Sequence, residues 1–243
     1  MNNLFIRRLK IASRCPQFFL KKIQRRIFGI DASWLDRSRD DFQIGSWEWL
    51  ALTESHYGGF KVGSATGENR GGDRMSPFFH GYGETYAEFL KPFLAQRKER
   101  ITLVEVGILN GSGLAIWCDL FPNARVIGLD LDLRNFNKNR AFLESQGAFE
   151  SNKPELFEFD QMDLARAQTV LQSVLGNCKI DIAIDDGCHS IESIEITLKA
   201  MLPHMANAFV YFIEDNFDTF DGLAQKQPSY HWCQQGEIVV FKN

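Results

Sequence analysis

The 243-residue chain is 44% hydrophobic and 24% charged, with 19 Gly and 7 Pro, which excludes a collagen-like, low-complexity or wholly disordered polymer. Its 21 Phe favour a substantial core, and a net charge of -4 argues against a dedicated nucleic-acid binder. Five cysteines (Cys15, Cys118, Cys178, Cys188, Cys233) form no CxxC pair, so neither a disulfide framework nor a zinc ribbon is expected and a reducing cytoplasm is the default setting.

The chain opens on a basic leader. Residues 1–30 hold eight Lys or Arg and no acid, leaving 19 bases against 31 acids in the body. Apolar residues from Leu4 to Phe28 recur at three- and four-residue steps among these bases, broken near Pro16. Such a segment can dock peripherally at an anionic membrane face, or pack as a helix on the body with its bases in water. No apolar run approaches the roughly 18 residues of a spanning helix, and the charges interrupt the leader too often for a secretory signal. Three regions are expected: the leader (1–45), a glycine-rich lid with its helix (46–98), and a cofactor-binding core (99–243). Between His56 and Gly83 eight glycines mix with Phe60, Phe78, Phe79 and Tyr82, a composition that suits a mobile lid or a surface loop. A helix from about Thr85 to Arg97 follows, with Tyr86, Phe89, Leu90 and Phe93 on one face.

From residue 101 strands and helices alternate. Ile101–Val106 reads as a buried strand, Gly111-Ser-Gly113 opens a helix to Phe121, and Arg125–Leu129 is the next strand. A helix near Asn135–Ser145, a strand near Leu156–Phe159, a helix at Leu164–Leu175 and the strand Ile180–Ile184 come next. Ile191, Ile194, Leu198, Met201 and Met205 keep helical spacing, Phe209–Ile213 is a fifth strand, and His231–Gln234 with Ile238–Phe241 form a hairpin. The expected fold is α/β: a Rossmann-like, mostly parallel sheet with helices on both faces, closed by the C-terminal hairpin. Ligands on such sheets sit at the carboxyl ends of the strands. Seven acids fall there: Glu105, Asp130, Asp160, Asp185, Asp186, Glu214 and Asp215. So many carboxylates on one rim repel one another unless cations or donors compensate, which makes the rim the candidate site.

Gly107, Gly111 and Gly113 after the first strand let backbone approach a ligand, but they do not make the dinucleotide GxGxxG fingerprint. Glu105 discriminates: a carboxylate there repels a pyrophosphate and favours a ligand carrying ammonium and sulfonium groups. Asp130 suits a ribose diol, Asp160-Gln161 an adenine edge. Together they point to S-adenosylmethionine rather than NAD. Asp186, Glu214 and Asp215 on neighbouring strand ends suit Mg²⁺, and His189 beside them suits a general base that deprotonates a metal-polarised hydroxyl. The bland alternative has His189 capping the next helix and the acids satisfying backbone donors.

Gly72-Asp73-Arg74, His80-Gly81-Tyr82, Tyr86, Val104–Trp117, Phe121-Pro122, Gly128-Leu-Asp130, Asp160-Gln161, Asp185-Asp-Gly-Cys-His189 and Glu214-Asp215 resemble the class I methyltransferases grouped with macrolide-sugar and rhamnosyl O-methyltransferases and with proteins named cephalosporin hydroxylases. The resemblance covers about residues 72–243. It implies a class I methyltransferase fold, Glu105, Gly107, Asp130 and Gln161 along the cofactor, Asp186, Glu214 and Asp215 as metal ligands, His189 as base, and a sugar hydroxyl of a glycoside or glycan as acceptor. Asp73, Arg74, His80 and Tyr82 are candidate acceptor or lid residues. Three positions depart from the family pattern: Cys188 stands where Ser is usual, Asn207-Ala208 where Gly-Gly is usual, and the stretch from Asn216 to the hairpin is short. Rival expectations are a catechol-type O-methyltransferase, a nucleotide-dependent oxidoreductase and a non-catalytic module. A homo-oligomer is also compatible with the sequence.

Overall fold

The computed structural model describes residues 20, 29, 32–58, 72–216 and 218–243. Most of the expected leader and residues 59–71 of the expected glycine-rich lid therefore lie outside the described residues. Among the described residues, seven strands form one sheet in the order β3-β2-β1-β4-β5-β7-β6. They are β1 (Thr102–Val106), β2 (Arg125–Asp130), β3 (Glu155–Glu158), β4 (Ile180–Asp185), β5 (Met205–Ile213), β6 (His231–Gln235) and β7 (Ile238–Lys242). The first five run parallel. β7 inserts antiparallel beside β5, and β6 forms the edge through the hairpin turn.

Eight helices surround the sheet among the described residues: α1 (Trp47–Gly58), α2 (Gly83–Phe89), α3 (Lys91–Leu94), α4 (Ser112–Leu120), α5 (Arg134–Ser145), α6 (Leu164–Leu175), α7 (Ile191–Met201) and α8 (Thr219–Lys226). Strand side chains alternate between two buried clusters, as a period of two requires. Leu103, Ile182, Ile184, Val210 and Phe212 pack with residues of α1, α2, α4 and α5. Val104, Val106, Ala183, Tyr211 and Ile213 pack with α6, α7 and Leu223 of α8. The segment from α1 to α2 shares the first cluster, since Leu50, Tyr57, Met75 and Tyr86 lie among Leu114, Trp117 and Phe121.

Two expected elements differ in extent. The helix foreseen over Thr85–Arg97 is split into α2 and α3, because Pro92 has no N–H for the carbonyl four residues back and its ring crowds that carbonyl. The helix expected to run to Met205 ends at Met201. Pro203 sits in a 3₁₀ turn over Leu202–His204, and Met205 already opens β5, four residues ahead of the expected start. The amphipathic spacing of Met205 is thus a strand residue in helical phase. Helices α1 and α8 are additions to the sequence-based pattern.

Candidate active site

A cavity of about 550 Å³ opens at the carboxyl ends of β1, β2, β3 and β4, a volume in the usual range for a small-molecule or cofactor pocket. Gly107, Asp130, Asp160, Gln161, Asp186 and His189 are on its wall. Asp73, Arg74, His80, Gly113 and Asp215 join them, whereas Glu105, Gly111, Asp185, Glu214 and Tyr82 stand behind the wall.

Strand alternation explains this division. Glu105, on β1, points to the same face as Leu103, and Asp186 and Glu214 continue the side of Ile184 and Phe212. These three acids converge on Arg74. One terminal nitrogen, Nη1, is 2.8 Å from Glu105 Oε1 and 3.5 Å from Asp186 Oδ2, and Nη2 is 2.7 Å from Glu214 Oε1. The Tyr86 hydroxyl donates to the same Glu214 oxygen. Helix α1 fixes the bridge from behind: the backbone N–H groups of Arg74 and Met75 donate to the two oxygens of buried Glu54 at 3.2 and 2.8 Å. Burial works against the charge on Arg74, but Glu214, Asp186 and Glu105 outweigh it and raise its pKa well above the usual arginine value. Burial likewise raises the carboxyls of Glu105 and Asp186, with Arg74 opposing the rise in both.

Asp185 takes the other face. It is buried, its Oδ1 accepts from Gln161 Nε2 at 2.8 Å, and desolvation pushes its pKa up to about 7. The neighbouring pair Asp185 and Asp186 therefore splits into a brace inside the β4–α7 layer and a wall residue of the cavity.

Beyond the strand ends the backbone is strained. His189 has φ 58° and Asp215 φ 52°, left-handed values that cost a non-glycine residue about 1–3 kcal/mol and concentrate at functional sites. The effect is to bring Asp186, His189 and Asp215 together, with one ligand atom from each within 4.8 Å of the others. His189 Nε2 lies 4.0 Å from Asp215 Oδ2. On the far side of Asp215, Oδ1 accepts the Tyr82 hydroxyl at 2.5 Å and lies 3.4 Å from His80 Nδ1. The carboxylates of Asp73 and Glu237, each 3.7 Å from a ring nitrogen, and the charge of Asp215 push the His80 pKa up to about 10, so this imidazole is cationic at neutral pH. Glu214, expected among the metal ligands, lies outside the Asp186–His189–Asp215 group because Arg74 and Tyr86 hold it.

The three glycines make room for protein atoms. A Cβ on Gly107, whose φ is +81°, would lie 2.1 Å from the Asp186 carbonyl oxygen. On Gly111 it would meet Phe136 at 2.4 Å, and on Gly113 it would meet Glu105 at 2.4 Å and Arg74 at 2.6 Å. Asp130 ends β2 with Oδ2 accepting from Ile108 and Leu109 N–H and Oδ1 from Asp132 N–H, which presents its carboxylate to the cavity. Asp160 is held similarly by the Met162 N–H. Sequence reasoning did not single out Glu54, Glu237 or Asn216. Glu54 and Glu237 are isolated in sequence from the motifs and are brought in by the packing of α1 and the hairpin, whereas Asn216 directly follows Glu214-Asp215 and carries no chemistry of its own that would single it out.

The donor set fits the two groups that such a site implies. Carboxylates outnumber cations on the wall, and Arg74 is already paired, so a ligand bearing positive charge suits the cavity better than a phosphate ester. The hard oxygens of Asp186 and Asp215, with an imidazole, suit a divalent cation of the Mg²⁺ or Mn²⁺ class.

Five parallel strands in the order 3-2-1-4-5, an antiparallel β7 inserted beside β5, and a site on the carboxyl rim define the Rossmann-like fold of the S-adenosylmethionine-dependent class I methyltransferases. The solved MycE methyltransferase of mycinamycin biosynthesis, in complex with Mg and S-adenosylhomocysteine, superposes with a TM-score of 0.57 at 16% identity, over 80% of this chain and 54% of that one. An S-adenosylhomocysteine-bound methyltransferase of Podospora anserina, PaMTH1, superposes with a TM-score of 0.51 at 12% identity, over 78% of this chain and 86% of that one. In sequence, the chain is 26% identical over 135 residues (52% of its length, 31% of the relative's) to L-olivosyl-oleandolide 3-O-methyltransferase of Streptomyces antibioticus. It is 26% identical over 130 residues (51% and 29%) to demethylmacrocin O-methyltransferase of Streptomyces fradiae. The chain thus spans about a third of the length of the curated relatives it matches. No protein-family model matches it. In sequence it is similar to these two O-methyltransferases, and in fold to class I methyltransferases.

Proposed function

We propose that the chain is an S-adenosylmethionine-dependent O-methyltransferase that works with a divalent cation on a sugar hydroxyl of a glycoside or glycan. The observation that carries this reading is the convergence of Asp186, His189 and Asp215 on the rim of the cavity that Gly107, Asp130 and Asp160 line. The names of the sequence relatives supply the acceptor class.

When bound, the cofactor would supply an electrophilic methyl group, and a divalent cation, which Asp186 and Asp215 would hold, would supply Lewis acidity. Asp130, its orientation locked by three backbone N–H groups, would accept from the ribose hydroxyls of the cofactor. His189 stands next to both metal acids and takes the proton from the acceptor oxygen at Nε2. Asp215 is held in place by Tyr82, and cationic His80 offsets part of its charge. Arg74 offsets part of the charge of Glu214 and Glu105 behind the reacting groups, so that the remaining negative charge of the rim is left for cationic ligands.

Calorimetric titration of S-adenosylmethionine, with and without Mg²⁺, into wild type and Asp186→Ala tests the proposal. Cofactor binding to both proteins, with a Mg²⁺ heat in the wild type alone, is expected. Well-folded wild type that binds no cofactor would overturn it. Incubation with labelled cofactor and rhamnosides against catechols then separates the glycoside acceptor from a phenolic one.

No helix among the described residues is long and apolar enough to cross a membrane. The pairing of eight bases with apolar residues in 1–30 supports a peripheral contact with an anionic cytoplasmic membrane face. Co-sedimentation with anionic liposomes should be lost in a chain starting at Asp31, and equal binding by both forms would remove the idea.

A further inference from the structure

The turn 186–189 carries both the cavity acid Asp186 and the base His189, yet it has no regular structure of its own and contains a residue at φ 58°. Two amide side chains hold it. Gln161, beyond the end of β3, accepts the Cys188 N–H on Oε1 at 2.8 Å. Its Nε2 donates to Asp185 Oδ1 at 2.8 Å and Thr197 Oγ1 at 3.0 Å, which ties the turn to β4 and α7 and uses both of its N–H donors. The approach is so close that a Cβ on Gly187 would lie 1.9 Å from Gln161 Oε1. On the opposite side, Asn216 Nδ2 donates to the His189 carbonyl at 2.9 Å. Asn216 is itself fixed by its backbone N–H to Glu237 and by its Oδ1, which accepts from Asp218 and Thr219 at the start of α8.

We propose that Gln161 and Asn216 are positioning residues that clamp the strained Asp186–His189 turn over the cation site, one gripping an N–H and the other the next carbonyl. Gln161 then acts on the cation side of the pocket rather than as a reader of the adenine edge, for which it has no N–H left. Groups that orient metal ligands in this way are worth about 10–100-fold in metal affinity. The inference rests on the cofactor and cation assignment above for its binding consequences, but the clamp itself is a property of the chain alone.

The test uses the full-length protein and three variants: Gln161→Leu, Gln161→Glu and Asn216→Asp. Gln161→Glu keeps an acceptor for the Cys188 N–H and loses the donors to Asp185 and Thr197. Asn216→Asp keeps the acceptor that caps α8 and replaces the donor to His189 by an anionic acceptor facing that carbonyl, so it decides the matter if Gln161→Leu does not fold. Mn²⁺ titration followed by electron paramagnetic resonance and S-adenosylmethionine titration by calorimetry are compared with amide hydrogen exchange over residues 186–190. Expected for Gln161→Leu and Asn216→Asp are a Mn²⁺ Kd weakened about 10–100-fold, a cofactor Kd within about twofold of wild type, and faster exchange at 186–190. Gln161→Glu should fall between these and wild type. A weakened cofactor Kd with unchanged Mn²⁺ binding would make Gln161 a cofactor contact and overturn the proposal, as would equal losses for both ligands or no change in either. Wild type that binds neither ligand would defeat the proposed function, while unchanged exchange at 186–190 in the variants would defeat the clamp.

Discussion

Replacing Arg74 by Met is the perturbation with the most direct reading. The guanidinium is bonded at 2.8 and 2.7 Å to Glu105 and Glu214, whose side chains are 1% and 0% exposed, and Asp186 lies 3.5 Å away. Removing one partner of a buried ion pair costs about 3–5 kcal/mol, because the remaining charge is left without solvent or counter-ion. Here three carboxylates share the loss, which places the expected cost toward the upper end. In a chain of this length each kcal/mol moves the melting temperature by about 2–4 °C, so Arg74→Met should melt about 10–20 °C lower than wild type. Arg74→Lys should fall between the two, since an ammonium is a point charge and cannot span Glu105 and Glu214 as the forked guanidinium does. Millimolar Mg²⁺ should recover more stability in Arg74→Met than in wild type, because a cation that binds only the folded state now meets uncompensated acids. Urea unfolding and thermal melts with and without Mg²⁺ measure both effects. A Met variant within about 1 kcal/mol of wild type would show that the triad is not the buried charge network described here.

His189→Gln should lower the methyl-transfer rate about 10²–10⁴-fold with the cofactor Kd unchanged, and a loss under tenfold would remove His189 as the base. Gly107→Ala should cost at least about 3 kcal/mol in urea, since its Cβ would meet backbone at 2.1 Å and its φ is +81°. Gly147→Ala, with a φ of +84° after the end of α5 and only the Glu150 carboxyl within 4 Å, should cost only about 1 kcal/mol, and equal losses would refute the steric argument. Burial pushes the Glu54 pKa from 4.5 up to about 7. An acid raised on folding stabilises the fold below its unfolded pKa, so roughly 3 kcal/mol is lost as pH climbs from about 4.5 to about 7. Unfolding free energies across that window should therefore flatten by about one proton in Glu54→Gln, and an unchanged slope would contradict the burial of a titrating carboxyl.

The five parallel strands and the closing hairpin were legible because short apolar runs bounded by acids and glycines carry a local signal. Where the chain's periodicity conflicted with its punctuation, punctuation won: Pro92 and Pro203 ended helices whose apolar phase continued past them. The acidic rim was also legible, since strand ends mark it. What sequence could not supply is the direction in which each acid points and what covers it. Arg74 sits among residues suggestive of an acceptor lid, and only the packing of α1 and α2 onto the sheet turns it inward onto Glu105 and Glu214. Gln161 likewise looks like a ligand contact from its position after β3, while its amide is spent on Asp185, Thr197 and Cys188. Glu54 is a helix residue with no motif around it, and its part depends on meeting the Arg74–Met75 backbone across some twenty residues of chain.

The divergence of Asp185 and Asp186 to opposite faces has an evolutionary consequence. A deletion of one residue within β4 would put Asp186 in the place of the buried brace, move Asp185 back to the buried position of Ile184, and leave Gly187 where the cavity acid stands. Substitutions in this strand can be absorbed one at a time if volume is kept, but changes in its length cannot. Length polymorphism among descendants of this chain should accordingly collect in the α8 region and in the surface turns and be absent between Ile180 and His189, a pattern that a deletion scan under selection for cofactor binding would reveal.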